Sequence, residues 1–340
     1  MFGVWLFELT GAHHTNAGRT ADEFLERAQL IGDPGDRLAA FAVSVSNVHL
    51  GNLVQARQHS GEAIRLFGDV TDAEATRLAF RYGVELGAAS YAYGAWCYWL
   101  LGNADQALQL GNKALAISER IQHDYSRARG LCWNSALHAY RGEWRIVEER
   151  AAAAIASARE HGFSIVVAVG RIMLVSARAM LDPRAEFVAE IREALAAYRA
   201  TGARFQSTYY LILLAQALAA CGRHEEGLDT LREAAALVEE TGERYVEAEI
   251  CRLQGNLLLA RDGNGSTAAE GIYLKALEVA RAQEAGSLGL RAASDLARLW
   301  AERGEHSRAA DFLAPVYGRF TEGFDTRDLK DAKALLNELV

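Results

Sequence analysis

Apolar residues recur at helical spacing along almost the whole chain, in stretches separated by short polar turns. Residues 205–220 form one such stretch and residues 225–240 the next, with the turn at 221–224 between them. Two amphipathic helices joined by a short turn make an αα-hairpin. No long stretch has the strict alternation of apolar and polar residues that is typical of a strand. The pattern therefore predicts an all-α protein.

The hairpins repeat at a nearly constant interval. A glycine at a turn, a small residue five positions later and an alanine seven positions after that recur along the chain, as in Gly102, Ala107 and Ala114. The first position of this register falls at residues 51, 102, 142, 182, 222, 264 and 304, so four of the six steps are 40 residues long. One hairpin cannot bury its apolar face alone, and stacked neighbours bury it together.

The period predicts one helical repeat domain over residues 1–340, a right-handed superhelix of about eight hairpins. The expected hairpin turns lie near residues 18, 51, 102, 142, 182, 222, 264 and 304. At the C-terminal end, Asp325 or Thr326 can cap a helix whose apolar residues follow helical spacing. We expect this helix, residues 325–339, to cover the last hairpin and end the array.

The step from 51 to 102 is 11 residues longer than the regular unit. The extra residues fall within 67–88, where Asp69 and Gly83 are typical of a loop. Insertions in repeat arrays usually emerge on one face and often serve binding. We therefore expect an extra loop that forms a lip beside Trp96 and Trp99.

The spacing of one glycine and two alanines resembles the tetratricopeptide repeat (TPR), although the TPR unit is shorter, at about 34 residues. Five runs are also similar to the C-terminal repeat region of bacterial proteins that join a class III adenylate or guanylate cyclase domain to an AAA-type ATPase. The runs are residues 79–83, 95–102, 199–204, 241–245 and 313–326. This resemblance implies a regulatory repeat domain whose partner is an ATPase or cyclase domain outside this chain.

The charge balance opposes nucleic-acid binding. The sequence has 36 Lys and Arg against 44 Asp and Glu, a net charge of −8, so a phosphate backbone is repelled on average. The four cysteines form no Cys-x-x-Cys pair, which favours reduced thiols in a cytoplasmic protein. No run of about 18 apolar residues is present, so we expect no membrane span.

Known catalytic motifs are absent from the sequence. It has no GxxxxGK phosphate loop, no GxSxG nucleophile elbow and no HExxH zinc motif. We therefore expect no catalytic residue, no cofactor and no metal, and a chain that is not an enzyme. His13 and His14 are adjacent, so on a helix they point about 100° apart and cannot share a metal. We expect them to form a surface pair.

A superhelix offers a concave surface lined by the first helix of each hairpin. An arginine beside aromatic rings on that surface can hold a carboxylate while the rings cover apolar atoms. The alternative is that the large side chains fill the core, and the sequence leaves both open. The residues placed on or beside this face are Trp96, Trp99, Arg129, Cys132, Tyr140, Ile172, Ser176, Tyr209 and Gln216.

Two binding functions follow from such a surface. The chain is either a module that binds a protein or peptide, or a domain that senses a small-molecule effector, as in some ATP-dependent transcription activators. The N-terminal helix predicts a separate contact surface, because it has more apolar residues than one following hairpin can cover. We expect Val4, Trp5 and Phe7 to be partly exposed and to contact a preceding domain, a separate subunit or a second copy of the chain.

Overall fold

The computed structural model describes residues 1–263 and 266–339, and all regular structure in these ranges is helical, as predicted. A short 3-10 helix, Val45–Leu50, extends α3. The α-helices are α1 Phe2–Thr10, α2 His14–Ile31, α3 Pro34–Ser44, α4 Leu53–Phe67, α5 Asp72–Tyr82, α6 Leu86–Leu101, α7 Ala104–Arg120, α8 Asp124–Tyr140, α9 Trp144–Glu160, α10 Ser164–Leu181, α11 Ala185–Ala200, α12 Ser207–Ala220, α13 His224–Thr241, α14 Glu247–Asp262, α15 Thr267–Ala282, α16 Gly286–Glu302, α17 His306–Tyr317 and α18 Arg327–Glu338.

Sixteen of these helices pair into eight hairpins, which we number along the chain. The pairs are α1/α2, α3/α4, α6/α7, α8/α9, α10/α11, α12/α13, α14/α15 and α16/α17. The residues at 51, 102, 142, 182, 222 and 304 lie in the turns inside hairpins, and every glycine among them has positive φ. The turn expected near 264 falls on residues outside the described ranges.

The turn expected near residue 18 is wrong, because Gly18 lies inside α2. The first turn is instead at residues 11–13, where Ala12 has φ of 61°. Gly18 serves close packing: a Cβ there would lie 3.0 Å from Leu50 Cδ1 and 3.1 Å from Asn47 Oδ1. Glycine thus has two uses in this sequence, and the repeat register distinguishes them only where the period is regular.

The insertion within 67–88 is a helix, α5, and not the expected loop. Thr71 begins it by accepting a hydrogen bond from the Glu74 backbone N–H at 3.3 Å, and Gly83 ends it with φ of 74°. The residues that suggested a loop are therefore helix boundaries. Tyr82 and Arg81 at its end bond to Asp36 in hairpin 2, so α5 does not form a lip beside Trp96 and Trp99.

Successive turns of the superhelix touch each other directly. Residues in hairpins 1 and 2 bond to the segments that follow hairpins 5 and 6, and hairpin 3 bonds to the beginning of hairpin 8, so between four and five hairpins complete one turn. Three of the bonds that make these contacts run from the Arg204 N–H to the Thr10 carbonyl at 2.8 Å, from the Arg244 N–H to the His49 carbonyl at 2.7 Å, and from Ser287 Oγ to the Trp99 carbonyl at 2.6 Å.

The C-terminal helix α18 begins two residues later than the expected start and packs on α16 and α17. Leu329, Ala332 and Leu335 are buried against them. The segment before α18 also reaches the first superhelical turn, where Glu322 accepts hydrogen bonds from the backbone N–H groups of Asp105 and Gln106 at 3.1 Å. It thereby caps the beginning of α7.

In the part of the chain that the structure describes, one helix, α10, is long and apolar enough to cross a membrane by length and composition, contrary to the expectation that no such stretch exists. It packs against α8, α9, α11 and α12. More than half of its residues, 56%, are buried inside the protein. Its apolar side chains therefore serve the core between hairpins 4 and 6.

Candidate ligand-binding cavity

Aromatic side chains fill the axis of the superhelix. At their centre, the Tyr140 ring lies 5.2 Å from Trp99, stacked on it, and 4.8 Å from Tyr209. Trp96 meets the same ring edge-on at 5.9 Å, and the Tyr140 hydroxyl donates to that of Tyr245 at 3.3 Å. We call these five residues, Trp96, Trp99, Tyr140, Tyr209 and Tyr245, the aromatic plug.

The nine residues placed on the concave face therefore do not line an open groove. Their side chains lie at the inner surface, but only Gln216 is half-buried, and the other eight are buried. The cause is the small number of hairpins in each turn, which brings inner helices from opposite sides close together. For most of the nine, filling the core is the role that the structure shows.

Two of the cavities that the described residues enclose lie on either side of the aromatic plug. The first, the N-terminal cavity, has a volume of about 260 Å³ and is lined mainly by apolar side chains. Its walls come from three parts of the chain, namely α1 with the end of α5, the inner helices α3, α6, α8 and α10, and the segment between hairpins 5 and 6. The lining residues are Phe2, Trp5, Leu6, Leu9, Thr10, Ala42, Val43, Tyr82, Gly83, Val84, Leu86, Ala89, Tyr93, Tyr125, Arg129, Trp133, Ile165 and Phe205.

Helix α1 presents different residues to the cavity and to solvent. Trp5 is buried, with its Nε1–H donating to Ser46 Oγ at 3.1 Å, so the expectation that Trp5 is exposed is wrong. Val4 and Phe7, on the opposite side of the helix, are 56% and 70% exposed. The sequence showed that α1 is apolar on two sides, but it could not show that one side meets a cavity.

Arg129 is the charged residue of the N-terminal cavity, and only 6% of it is exposed. Its Cζ lies 5.4 Å from the centre of the Trp133 ring and 5.2 Å from that of Phe205. The groups that interact electrostatically with its guanidinium are Tyr93, Tyr125, Tyr210 and Cys132. No carboxylate of the described residues pairs with it. An arginine stays protonated at every physiological pH, so this cavity holds a buried cation without an anion.

Further hydrogen-bond donors surround Arg129. The Trp133 Nε1–H is buried and has no partner among the described residues. Burial raises the pKa of the Tyr93 phenol, against the opposing charge of Arg129, so this hydroxyl is protonated and able to donate at neutral pH. The sequence analysis singled out Arg129 but missed Tyr125 and Trp133, which lie four residues before and after it on α8 and thus share its helix face.

The second cavity, the C-terminal cavity, has a volume of about 300 Å³ and is polar. Its partly buried arginines are paired: Arg252 contacts Glu249 at 2.8 Å and Asp295 at 2.5 Å. Arg291 contacts Asp328 at 2.8 Å. Because these charges already satisfy one another, the C-terminal cavity lacks the unpaired charge that distinguishes the N-terminal one.

A buried cluster joins the two superhelical turns near the plug. His14 Nε2 and His49 Nδ1 each lie 3.5 Å from Glu243 Oε1. Thr208 Oγ1 donates to the same carboxylate at 2.6 Å. His14 is only 2% exposed, so the expectation of a surface pair is wrong for this residue, although His13 is exposed. Burial lowers the pKa of His14 to about 4, which outweighs the opposing effect of Glu243.

The sequence of the chain matches no protein-family model. An uncharacterized protein of Rhizobium meliloti (strain 1021) is 27% identical over 201 residues, which make up 59% of this chain and 19% of that protein. The chain thus spans about a fifth of the length of the curated relative it matches.

Solved structures show the same fold. A Rap protein complexed with competence and sporulation factor has a TM-score of 0.61 and 11% identity, over 99% of this chain and 96% of that one. NprR in complex with its cognate peptide NprX has a TM-score of 0.56 and 14% identity, over 91% of this chain and 82% of that one. These likenesses confirm the predicted TPR-like helical fold, while the narrower resemblance to cyclase-linked ATPases stays a prediction.

Proposed function

We propose that the chain is a non-catalytic, TPR-like regulatory module of a bacterial signal-transduction protein. We further propose that an effector bound in the N-terminal cavity determines how the two turns of the superhelix are arranged. The observation that carries this proposal is the position of the cavity. Its walls run from α1 in hairpin 1 to Phe205 between hairpins 5 and 6, so a ligand there touches both turns of the superhelix. A ligand that binds one arrangement of the turns more tightly shifts the population toward it.

The structural neighbours support binding as the function of this fold. The Rap and NprR structures hold competence and sporulation factor and the peptide NprX, respectively. The cavity of about 260 Å³ is slightly smaller than most small-molecule sites, which are about 300–1,000 Å³. It has room for a small molecule or for the last side chains of a peptide.

Protein contact through the outer side of α1 is the second candidate function. Val4 and Phe7 are large apolar residues exposed there, and we propose that they meet a domain of the same signalling assembly, such as the ATPase or cyclase domain that the sequence resemblance implies. The other side of α1 lines the cavity through Phe2, Trp5 and Leu9. Helix α1 therefore connects the effector site with the surface that a partner would bind.

A cavity-filling variant tests the effector proposal. Ala89 lines the cavity, so Ala89→Phe occupies part of its volume, whereas Ala152→Phe places the same ring on the exposed face of α9. In a thermal-shift screen of metabolites, we expect at least one compound to raise the Tm of the wild type and of Ala152→Phe, but not that of Ala89→Phe. A compound that shifts all three proteins equally would place the effector elsewhere and reject the cavity as its site.

A further inference from the structure

We propose that the ligand of the N-terminal cavity is an amphipathic monocarboxylate, held by Arg129 through its carboxylate and by the apolar walls through its body. This inference rests on the proposed function and names the chemical class of the effector. Its basis is the contact set of Arg129, a guanidinium with only 6% exposure beside phenols, a thiol and rings.

An unpaired buried cation is costly to a folded protein. Removing a charge from water costs several kcal/mol even after the protein relaxes, and an opposite charge normally compensates that loss. The arginines at the C-terminal cavity illustrate the normal case, because Arg252 and Arg291 each contact carboxylates. Arg129 lies in the same superhelix without such a partner, so its anion has to come from outside the described chain.

The geometry leaves the edge of the guanidinium for that anion. The rings of Trp133 and Phe205 cover the group at 5.4 and 5.2 Å, which satisfies its π-faces. The Tyr93 oxygen accepts from the guanidinium, but an arginine has five N–H donors, so donors remain for an anion. A carboxylate accepts two parallel hydrogen bonds from such an edge. The unpartnered Trp133 Nε1–H and the protonated Tyr93 hydroxyl are further donors beside Arg129.

The walls determine the rest of the ligand. Leu9, Val43 and Ile165 line the cavity, and burying apolar ligand atoms against them is favourable. A phosphate monoester carries close to two charges at neutral pH, and Arg129 neutralises only one of them. A single carboxylate on an aromatic or branched aliphatic body therefore fits both the charge and the walls.

Such a carboxylate has two sources, a free small molecule and the C-terminus of a short peptide. Phenylacetate represents the first and N-acetyl-leucyl-phenylalanine the second, and each has a neutral counterpart of nearly the same shape in its amide. Calorimetric titration of the full chain with these four compounds separates charge from shape. We expect each acid that binds to do so at least about tenfold more tightly than its amide, a difference of about 1.4 kcal/mol.

Arg129→Met provides the second arm of the experiment. Methionine keeps the packing volume of the arginine stem but removes the buried charge, so we expect loss of acid binding together with a Tm equal to or above that of the wild type. Arg171→Met, at a half-buried position of α10 where the nearest carboxylate, Glu193, is 3.9 Å away, is the matched control and keeps binding.

The outcomes separate this inference from the proposed function. Amides that bind as tightly as acids overturn the anion assignment but keep an effector cavity. A Tm that falls clearly in Arg129→Met, with acid binding unchanged, assigns Arg129 a structural role and overturns the inference. Failure of all four compounds to bind also rejects this ligand class, whereas the metabolite screen with Ala89→Phe tests the cavity independently of ligand charge.

Discussion

Ser287 donates a hydrogen bond through Oγ to the backbone carbonyl of Trp99 at 2.6 Å, across 188 residues of the chain. Ser287 begins α16 and Trp99 lies in the last turn of α6, so the bond joins two successive turns of the superhelix. In an open solenoid each repeat contacts only its sequence neighbours. Contacts of this kind couple the stability of hairpins that lie far apart in the sequence, and they close the axis around the aromatic plug.

Because α16 packs closely on α6, the stability of the protein should depend strongly on Gly286. A Cβ on Gly286 would lie 2.6 Å from the Leu101 carbonyl oxygen, and a backbone atom cannot move aside as a side chain can. We expect Gly286→Ala to lower the free energy of unfolding by about 1–3 kcal/mol, the usual cost of overpacking, as measured by urea denaturation.

Gly289 is the matched control on the same helix. A Cβ there would meet only the Ala280 Cβ, at 3.7 Å, which is an ordinary contact. Because alanine is the better helix former, Gly289→Ala should raise stability by about 0.5–1 kcal/mol. Equal effects of the two substitutions would show that the turns are not pressed together at Gly286.

The buried His14 predicts a loss of stability in mild acid. Its pKa is about 4 in the folded protein, against 6.5 for an ordinary histidine. Between these pH values, His14 is therefore protonated in the unfolded chain and neutral in the folded chain. The free energy of unfolding should therefore fall as the pH drops from 6.5 to 4, by about 3 kcal/mol from this residue. Glu243 adds a further loss of stability as the pH falls below 4.5, the ordinary pKa of a glutamate. Burial alone would raise the pKa of Glu243, but His49, His14 and Thr208 hold it below the usual range.

His14→Gln tests this origin of the pH dependence, and His13→Gln is its neighbour control. Chemical denaturation at several pH values should show a shallower slope between pH 6.5 and 4 for His14→Gln. The slope does not vanish, because burial also lowers the pKa values of His59 and His123. A slope that His14→Gln leaves unchanged would mean that His14 titrates normally in the folded state.

The contact between Glu322 and α7 predicts a long-range capping effect. Its carboxylate accepts from the backbone N–H groups of Asp105 and Gln106, at the positive end of the α7 dipole. Glu322→Ala should cost about 0.5–2 kcal/mol, as other lost N-caps do. Hydrogen exchange should accelerate at the beginning of α7, whereas Glu338→Ala, at an exposed position of α18, should leave it unchanged.

These contacts explain how much of the fold the sequence predicts. The 40-residue step depends on local helix geometry, and it placed the turns at Gly102, Gly142 and Gly222. The number of hairpins in one turn depends instead on small rotations between neighbours, which no period encodes. The closed axis therefore could not be predicted, although residues 199–204, 241–245 and 313–326, which carried the family resemblance, are or adjoin the segments that join the turns.

For the N-terminal cavity too, the sequence predicted the local placement of residues but not the contacts between distant segments. Arg129 was placed at the inner surface because its helix position follows from the repeat register. Its lack of a carboxylate partner among the described residues depends on residues far away in the sequence, above all Phe205 and α1. A sequence pattern shows which side a residue faces, but an unpaired charge is a property of the packed structure.

The outer side of α1 predicts association through the N-terminal end. Val4 and Phe7 are 56% and 70% exposed, and adjacent exposed apolar residues on a soluble surface mark interaction sites or aggregation. Replacing both by glutamine should raise solubility and, in sedimentation velocity, abolish concentration-dependent association, while calorimetric titration of the cavity ligand stays unchanged because neither residue lines the cavity. Leu274→Gln, an exposed apolar residue of α15 that is 48% accessible, should alter neither property. Persistent association in the double variant would assign the contact to another surface and leave α1 only as a wall of the cavity.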